Sequence, residues 1–421
     1  MISLNRTKAP AFTRSIDFSL RNPSTQTLLN GIAIHYLVGG KQPVLKIEIL
    51  LKAGRWFEQQ GGAAYFMSQL FTRGTRTKNS FQIAETFDSL GAHVDVSAGL
   101  DIVSISMYTL TKHALQAIAL LVEILQEAAF PEHELEQIKS IYLQNLDVNQ
   151  EKTSFQASKL FRKHLFGSTH PYGKELDTKE VNELTRSHIV DHNHLFGQDI
   201  TVIVSGDVPT ATQTFINAAF EALSVKRVED IHRAPVVTNP GRDVVTKEGS
   251  VQASLRIGKS FIGRKHPDYA ASVFLTHAFG GYFGSRLMKN IREEKGLTYG
   301  IHASLNTLLH DSYLLIGADV NKENVSLAFD EIQKEMKRLS TELMPADELD
   351  TARNHFIGSL QGEVTNAFAH ADKFRTRLLF DLPEDFYQTL IHKIDALTAN
   401  DLIDVAEKHF QTDSFIEVAF G

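Results

Sequence analysis

Leu90-Gly91-Ala92-His93-Val94-Asp95-Val96-Ser97-Ala98 leads into an alternating run at 102–108, and Gly296-Leu297-Thr298-Tyr299-Gly300-Ile301-His302-Ala303 leads into another at 312–318. Alternation of apolar and polar side chains predicts half-buried strands. Each pair of strands is followed by the same series. After the first come a helical pattern over 112–129, then Pro131, Glu134 and Leu135, then a second long helical pattern. After the second come a helical pattern over 322–339, then Pro345, Glu348 and Leu349, then another long helix. The ends of the halves also correspond. Leu184-Thr185 precedes a helix, a strand at 200–205 and Gly206, 22 residues from the Leu; Leu397-Thr398 precedes a helix, a strand at 414–420 and Gly421, 24 residues on. Several correspondences in one order mark an internal duplication.

The chain has 421 residues, 43% of them apolar, a formal charge of −7 and no cysteine. That length predicts more than one core. We expect an α+β protein of two duplicated domains, each a mostly antiparallel sheet with helices packed on one face. The domains run over 1–228 and 246–421. The stretch 229–245, with Pro235, Pro240 and Gly241, is read as a linker. Two such halves can close like a clam around a ligand. The mild charge speaks against a nucleic-acid surface, and the missing cysteine excludes disulfides and thiolate chemistry. Neither a signal peptide nor an apolar run of membrane-spanning length is read, so the expected location is cytoplasmic.

Working outward, Lys52-Ala53-Gly54-Arg55-Trp56-Phe57-Glu58 precedes a segment from Gly61 to Thr75 that ends in Arg73-Gly74-Thr75. This resembles the signature region of the insulinase/pitrilysin peptidases, whose inverted motif His-x-x-Glu-His lies on a helix. Two His four apart share one helical face and bind zinc, and the Glu between them takes a proton from the zinc-bound water. A Glu on a later helix is the third ligand. Counting back from Gly74-Thr75, the resemblance puts Tyr65 and Gln69 at the His positions and Ser68 at the base; matching Leu143-Gln144-Asn145-Leu146 to the family's Leu-Glu-Glu-Ile puts Asn145 at the third ligand. These four are degenerate metal-site positions: carboxamides bind zinc weakly, and a hydroxyl takes up no proton near neutral pH. His188-Ile189-Val190-Asp191-His192 has the inverted spacing with Asp for Glu. By the repeat it belongs to a helix feeding a terminal strand, where its histidines, and His194, are expected at the surface. His170-Pro171-Tyr172-Gly173 matches a family loop and is read as a structural turn.

The second half carries a fuller match: Gly280-Gly281, Ser285-Arg286-Leu287, Arg292-Glu293 and Gly296-Leu297-Thr298-Tyr299. This resembles the family's C-terminal signature. There the Arg and Tyr corresponding to Arg292 and Tyr299 reach toward substrate beside the zinc. A guanidinium can hold a peptide carbonyl or carboxylate, and a phenol can donate to an oxyanion. Read without the resemblance, Arg292 would pair with a nearby acid and Tyr299 would cap a sheet edge.

Some bacterial members are built from two chains of about this length, and mitochondrial processing peptidase divides its catalytic and non-catalytic roles between subunits. The resemblance implies a non-zinc subunit with no catalytic residue and no cofactor of its own. Zinc is expected in a homologous partner, in a heterodimer; self-association into a homodimer is the other pairing. A peptide is the expected substrate, with no nucleic acid and no membrane span. Two alternatives stand beside this: a structural or peptide-binding protein, and a weak metallopeptidase with unusual ligands.

Overall fold

The computed structural model describes residues 7, 16–194, 200–225, 231, 238 and 240–421. The first half runs β1 (Ser24–Thr27), β2 (Ala33–Val38), β3 (Val44–Leu51), α1 (Ala63–Leu70), α2 (Ser80–Ser89), β4 (His93–Ala98), β5 (Val103–Leu110), α3 (Ala114–Glu127), α4 (Glu132–Gln150), α5 (Thr153–Phe166), α6 (Thr178–Glu183), α7 (Arg186–Asn193), β6 (Thr201–Gly206) and α8 (Thr210–Glu221). The second runs β7 (Gly241–Val245), β8 (Gln252–Ser260), α9 (Tyr269–Thr276), β9 (Thr298–Thr307), β10 (Ser312–Asn321), α10 (Val325–Thr341), α11 (Ala346–Gly362), α12 (Ala367–Leu379), α13 (Phe386–Ala396), α14 (Ala399–His409) and β11 (Ile416–Phe420).

The sheets have the orders β1-β2-β6-β3-β5-β4 and β7-β11-β8-β10-β9. Apart from β1 they are one topology used twice. Each has one parallel pair, β2 with β6 and β7 with β11, in an otherwise antiparallel ladder. The alternation that predicted β5 is literal: its residues are buried and half-buried in turn. The Leu-Thr pairs both open helices. The Thr398 hydroxyl accepts from the Asp401 amide while the Asp401 carboxylate accepts from the Thr398 amide. Thr185 N–H donates to Nδ1 of His188 at 3.2 Å. Reciprocal capping of this kind satisfies N–H groups that a helix start leaves unpaired.

One face of each sheet packs on helices of its own half. The first core gathers Ile47, Phe66, Ile118 and Phe220, and the second Leu255, Phe274, Phe329 and Ile391. The opposite faces are covered by exchange. α5, from the first half, lies on β8 and β11, where Phe161 and Leu165 meet Ile416 and Val418. Gly258 makes room, since a Cβ there would stand 2.7 Å from the Phe161 ring. α12, from the second half, lies on β2 and β6 and packs Ala371 and Phe374 on Leu37, Leu50 and Ile203. The polar face of β3 finds its partners on α12: Lys46 Nζ is 3.1 Å from Asp372, and Arg375 donates to Glu48 at 2.6 Å.

Each half supplies a wall of the other's core, so separating them would expose two apolar faces and the buried Glu48, which is 1% accessible. Further contacts close the joint. Trp56 stacks on His310 at 4.0 Å, and Asp101 accepts from the Leu309 amide at 2.9 Å and from the Tyr172 hydroxyl. The chain also crosses over near its start: Phe18 belongs to the second core, and its amide donates to Gln388. Of the stretch read as linker, much lies outside the described residues, and its last five residues form β7.

Candidate functional site

The four positions singled out in the first half lie on two facing helices. Gly62, at φ 88°, turns the chain into α1, and a Cβ there would lie 2.8 Å from Leu176. Glu58 caps this start by accepting from the amides of Gly62 and Ala64 at 3.2 and 2.9 Å. Burial raises the Glu58 pKa, and those two hydrogen bonds partly offset the shift. Tyr65 and Gln69 then fall one turn apart and are exposed, while Ser68 is buried. Ser68 Oγ donates to the Tyr65 carbonyl at 2.7 Å, so it is engaged within its own helix. Asn145 is exposed on α4. The residue of α4 that meets α1 is Tyr142, whose ring lies 5.1 Å from that of Tyr65. Burial pushes both phenols up, Tyr142 to about 12, so both stay protonated at neutral pH. The local chemistry is an aromatic pair with two carboxamides. It does not fit zinc, which wants imidazole, thiolate or carboxylate donors. Sequence reasoning missed Glu58 and Tyr142; only the helical spacing of Tyr142 from Asn145 pointed to the latter.

α7 backs this region and packs against α1. His192 on it is buried, contrary to the surface position expected of it. Its Nε2–H donates to the Ala53 carbonyl at 2.8 Å, and burial lowers its pKa. His188 is used in capping, so the inverted pair His188/His192 points to two different tasks. Among the described residues, one group has the makings of a metal site: His266, Asp268 and His409. Its chemistry argues otherwise. Nδ1 of His266 accepts from the Asp268 amide at 3.1 Å, which puts the ring proton on Nε2, and Lys408 lies 3.9 Å from the Asp268 carboxylate. His409 Nε2 is hydrogen-bonded to the Asp268 carboxylate at 2.9 Å, where two helix ends meet.

The signature of the second half builds a different object. α9 passes into a π-helical turn, His277–Gly281, and a second π-helical segment spans Met288–Glu294. Gly280 lets the first of these approach β9, since a Cβ would stand 2.7 Å from the Ala303 amide nitrogen. Arg286 anchors the second by a forked ion pair to Glu348 at 2.7 and 3.2 Å. Asn290 donates to Glu335 at 2.6 Å. Gly296, at φ 63°, ends the segment, and Leu297 N–H reaches back to the Ile291 carbonyl. Wide turns of this kind shift side chains off the regular helical face and gather at functional sites.

What the anchored segment presents is Arg292. Its guanidinium rests on the ring of Phe283, 4.7 Å from the centroid. Phe283 is itself 65% exposed. Among the described residues, Arg292 has neither a hydrogen bond nor an acidic partner. Tyr299 stands at the start of edge strand β9, 91% exposed, with its hydroxyl unengaged among the described residues. The acid pairing and edge capping that a structural role would require are absent there. No hydrogen bond, ion pair or ring contact among the described residues joins Arg292 or Tyr299 to Tyr65, Gln69 or Asn145. The two constellations are separate features of one chain.

The β4 edge is open, and Gly99 beside it shapes the turn into β5: a Cβ would lie 3.0 Å from the Ile102 carbonyl oxygen. The 170–173 loop is structural. Tyr172 is fully buried and tied to Asp101, and His170 closes the turn by accepting from the amides of Gly173 and Lys174. No helix among the described residues is long and apolar enough to cross a membrane.

Residues 40–170 match the profile described as insulinase (peptidase family M16), and residues 191–356 match the one described as peptidase M16 inactive domain. A protein of Rickettsia bellii named as an uncharacterized zinc protease is 24% identical over 87% of this chain and 90% of its own length. A Helicobacter pylori protein named non-peptidase homolog YmxG is 23% identical over 84% of this chain and 82% of its own. Among solved structures, a peptidase M16 inactive domain from Pseudomonas fluorescens superposes with a TM-score of 0.87 at 21% identity, covering 95% of this chain and 98% of that one. A protease from H. pylori superposes at 0.82 with 18% identity, over 95% and 99%.

Proposed function

Because the chain belongs to the insulinase (M16) family of peptidases, we propose that it is the substrate-binding half of a two-chain peptidase and completes the site of a zinc-bearing homologue. The observation that carries this reading is the Arg292–Tyr299 pair. A guanidinium without an acid is held out on a segment braced by Arg286–Glu348, and an almost fully exposed phenol stands at the start of β9. Such groups suit a peptide carbonyl or carboxylate and an oxyanion. The first half supports the other side of the reading. Its family metal positions fall on Tyr65, Ser68, Gln69 and Asn145, which supply neither a zinc donor set nor a base. The exchanged helices add a geometric argument. Each half already covers a face of the other's sheet, so a second chain is the natural source of an enclosing chamber.

The test is reconstitution. Mixed with a homologous chain that carries His-x-x-Glu-His, this protein should support cleavage of an internally quenched peptide. Arg292→Ala should lower kcat/KM roughly tenfold or more, with Tyr299→Phe acting in the same direction. Full activity of the zinc-bearing chain by itself would defeat the proposal.

A second reading, peptide binding without turnover, draws on the unpaired edge of β4, along which an extended peptide could add as a strand. Peptide capture by this chain, with no stimulation of any zinc-bearing homologue, would favour it.

A further inference from the structure

A cavity of about 430 Å³ opens in the second half between the loop after β8, the start of α9 and α13. That is within the roughly 300–1,000 Å³ of small-ligand sites. Its apolar wall includes Ala270, Leu382, Phe386 and Leu390. Arg264 stands in the wall, shared with a neighbouring cavity. The guanidinium carbon lies 5.0 Å from the Phe380 ring centroid and 5.8 Å from that of Tyr269. NH1 donates to the Tyr269 hydroxyl at 3.0 Å, and Nε is buried with no partner.

The surrounding charges leave Arg264 uncompensated. Lys265 is matched by Asp381 at 2.8 Å. Asp385 accepts from the Thr389 hydroxyl at 3.0 Å. His266 accepts from the Asp268 amide. Among the described residues, neither Arg264 nor Lys393, which also lines the cavity, has an acidic partner. A guanidinium clamped between rings at an apolar wall is costly to leave without an anion. The Tyr269 hydroxyl, already accepting from Arg264, keeps its own proton to donate.

We propose that this pocket binds the C-terminal residue of a peptide, with the α-carboxylate on Arg264 and Tyr269 and an apolar side chain against Leu382, Phe386 and Leu390. A peptide is favoured over a bare fatty acid because Asp381 and Asp385 on the rim offer acceptors to ligand N–H groups. The site is separate from Arg292 and Tyr299 and does not depend on pairing with a zinc-bearing chain.

The experiment is fluorescence polarisation with the full chain and fluorescein-Ala-Ala-Leu, as free acid and as C-terminal amide. The acid should bind at least tenfold more tightly than the amide, and Arg264→Leu should abolish that preference. Leu390→Trp, which fills the cavity and keeps the guanidinium, should also weaken the acid at least tenfold, so the proposal survives an Arg264 variant that misfolds. Equal binding of acid and amide, or no binding of the acid at millimolar concentration, overturns it. Decanoate binding more tightly than the peptide acid also overturns it, in favour of a fatty-acid site.

Discussion

The two halves share one topology and carry opposite chemistry. In the first, the helix that follows the central strand presents a phenol and a carboxamide outward and turns its Ser68 inward. In the second, the corresponding region breaks into π-helical turns and holds out a guanidinium without an acidic partner among the described residues, and the strand that follows begins with an exposed phenol. The contrast teaches that one duplicated scaffold can carry two unlike surfaces, one of which keeps features that cost stability. An unmatched cation and exposed aromatic rings give little to stability, so their bracing by Arg286–Glu348 and Asn290–Glu335 calls for a reason outside the fold.

The sharpest way to break the contrast is to give the first half what it lacks. Tyr65→His, Gln69→His and Asn145→Glu together should raise the zinc retained after dialysis by about one ion per chain over the unaltered protein, read by elemental analysis. Failure of the triple variant to retain zinc would mean that the helix register assigned here is wrong. The exchanged helices supply the next test. Phe161→Ala on α5 should cost about 3–5 kcal/mol in denaturant unfolding. On α12, Asp372→Asn should cost about 1 kcal/mol or less, because Asp372 is 55% exposed while its partner Lys46 is buried. Equal losses would refute the view that one crossover is held by apolar packing and the other by a charge network open to water at its rim.

The smallest effect concerns acid. His277, in the π-helical turn of the second half, is held by burial at a pKa of about 4, and its Nε2 lies 3.1 Å from Nδ1 of His355. Between about pH 6.5 and 4 the unfolded chain takes up a proton there that the folded chain refuses. Stability should therefore fall as pH drops through that window. His277→Gln should flatten this part of the profile, measured as melting temperature against pH, while Gln69→Ala in the first half should leave it unchanged.

Much of the scaffold could be read in advance because its signals are local. Alternation predicted β5 and β10, the Leu-Thr pairs predicted the starts of α7 and α14, and the repeated Pro-x-x-Glu-Leu predicted α4 and α11. Exchange was not legible, since an amphipathic helix has the same periodicity whichever sheet it covers. Nothing near Lys46 and Glu48 on β3 signals their partners, since Asp372 and Arg375 lie more than 320 residues away. The π-helical turns were not legible either, because sequence periodicity does not show the tertiary anchors, such as Glu348 on Arg286, that hold this region. Arg292 and Tyr299 were found through a motif, whereas Glu58, Tyr142 and Arg264 reveal themselves only once burial and neighbours are known. His192 was misplaced because helical spacing alone does not say that α1 lies over it.

The crossing of α5 and α12 has a consequence during synthesis. When the ribosome has delivered the strands of the first sheet, the helix that roofs their outer face, Ala367–Leu379, is still well over a hundred residues from being made. Leu37, Leu50 and Ile203 must wait uncovered until translation is almost finished. A nascent chain in that condition is a natural client for holding chaperones, and a premature stop before residue 367 would leave a product with a permanently sticky flank.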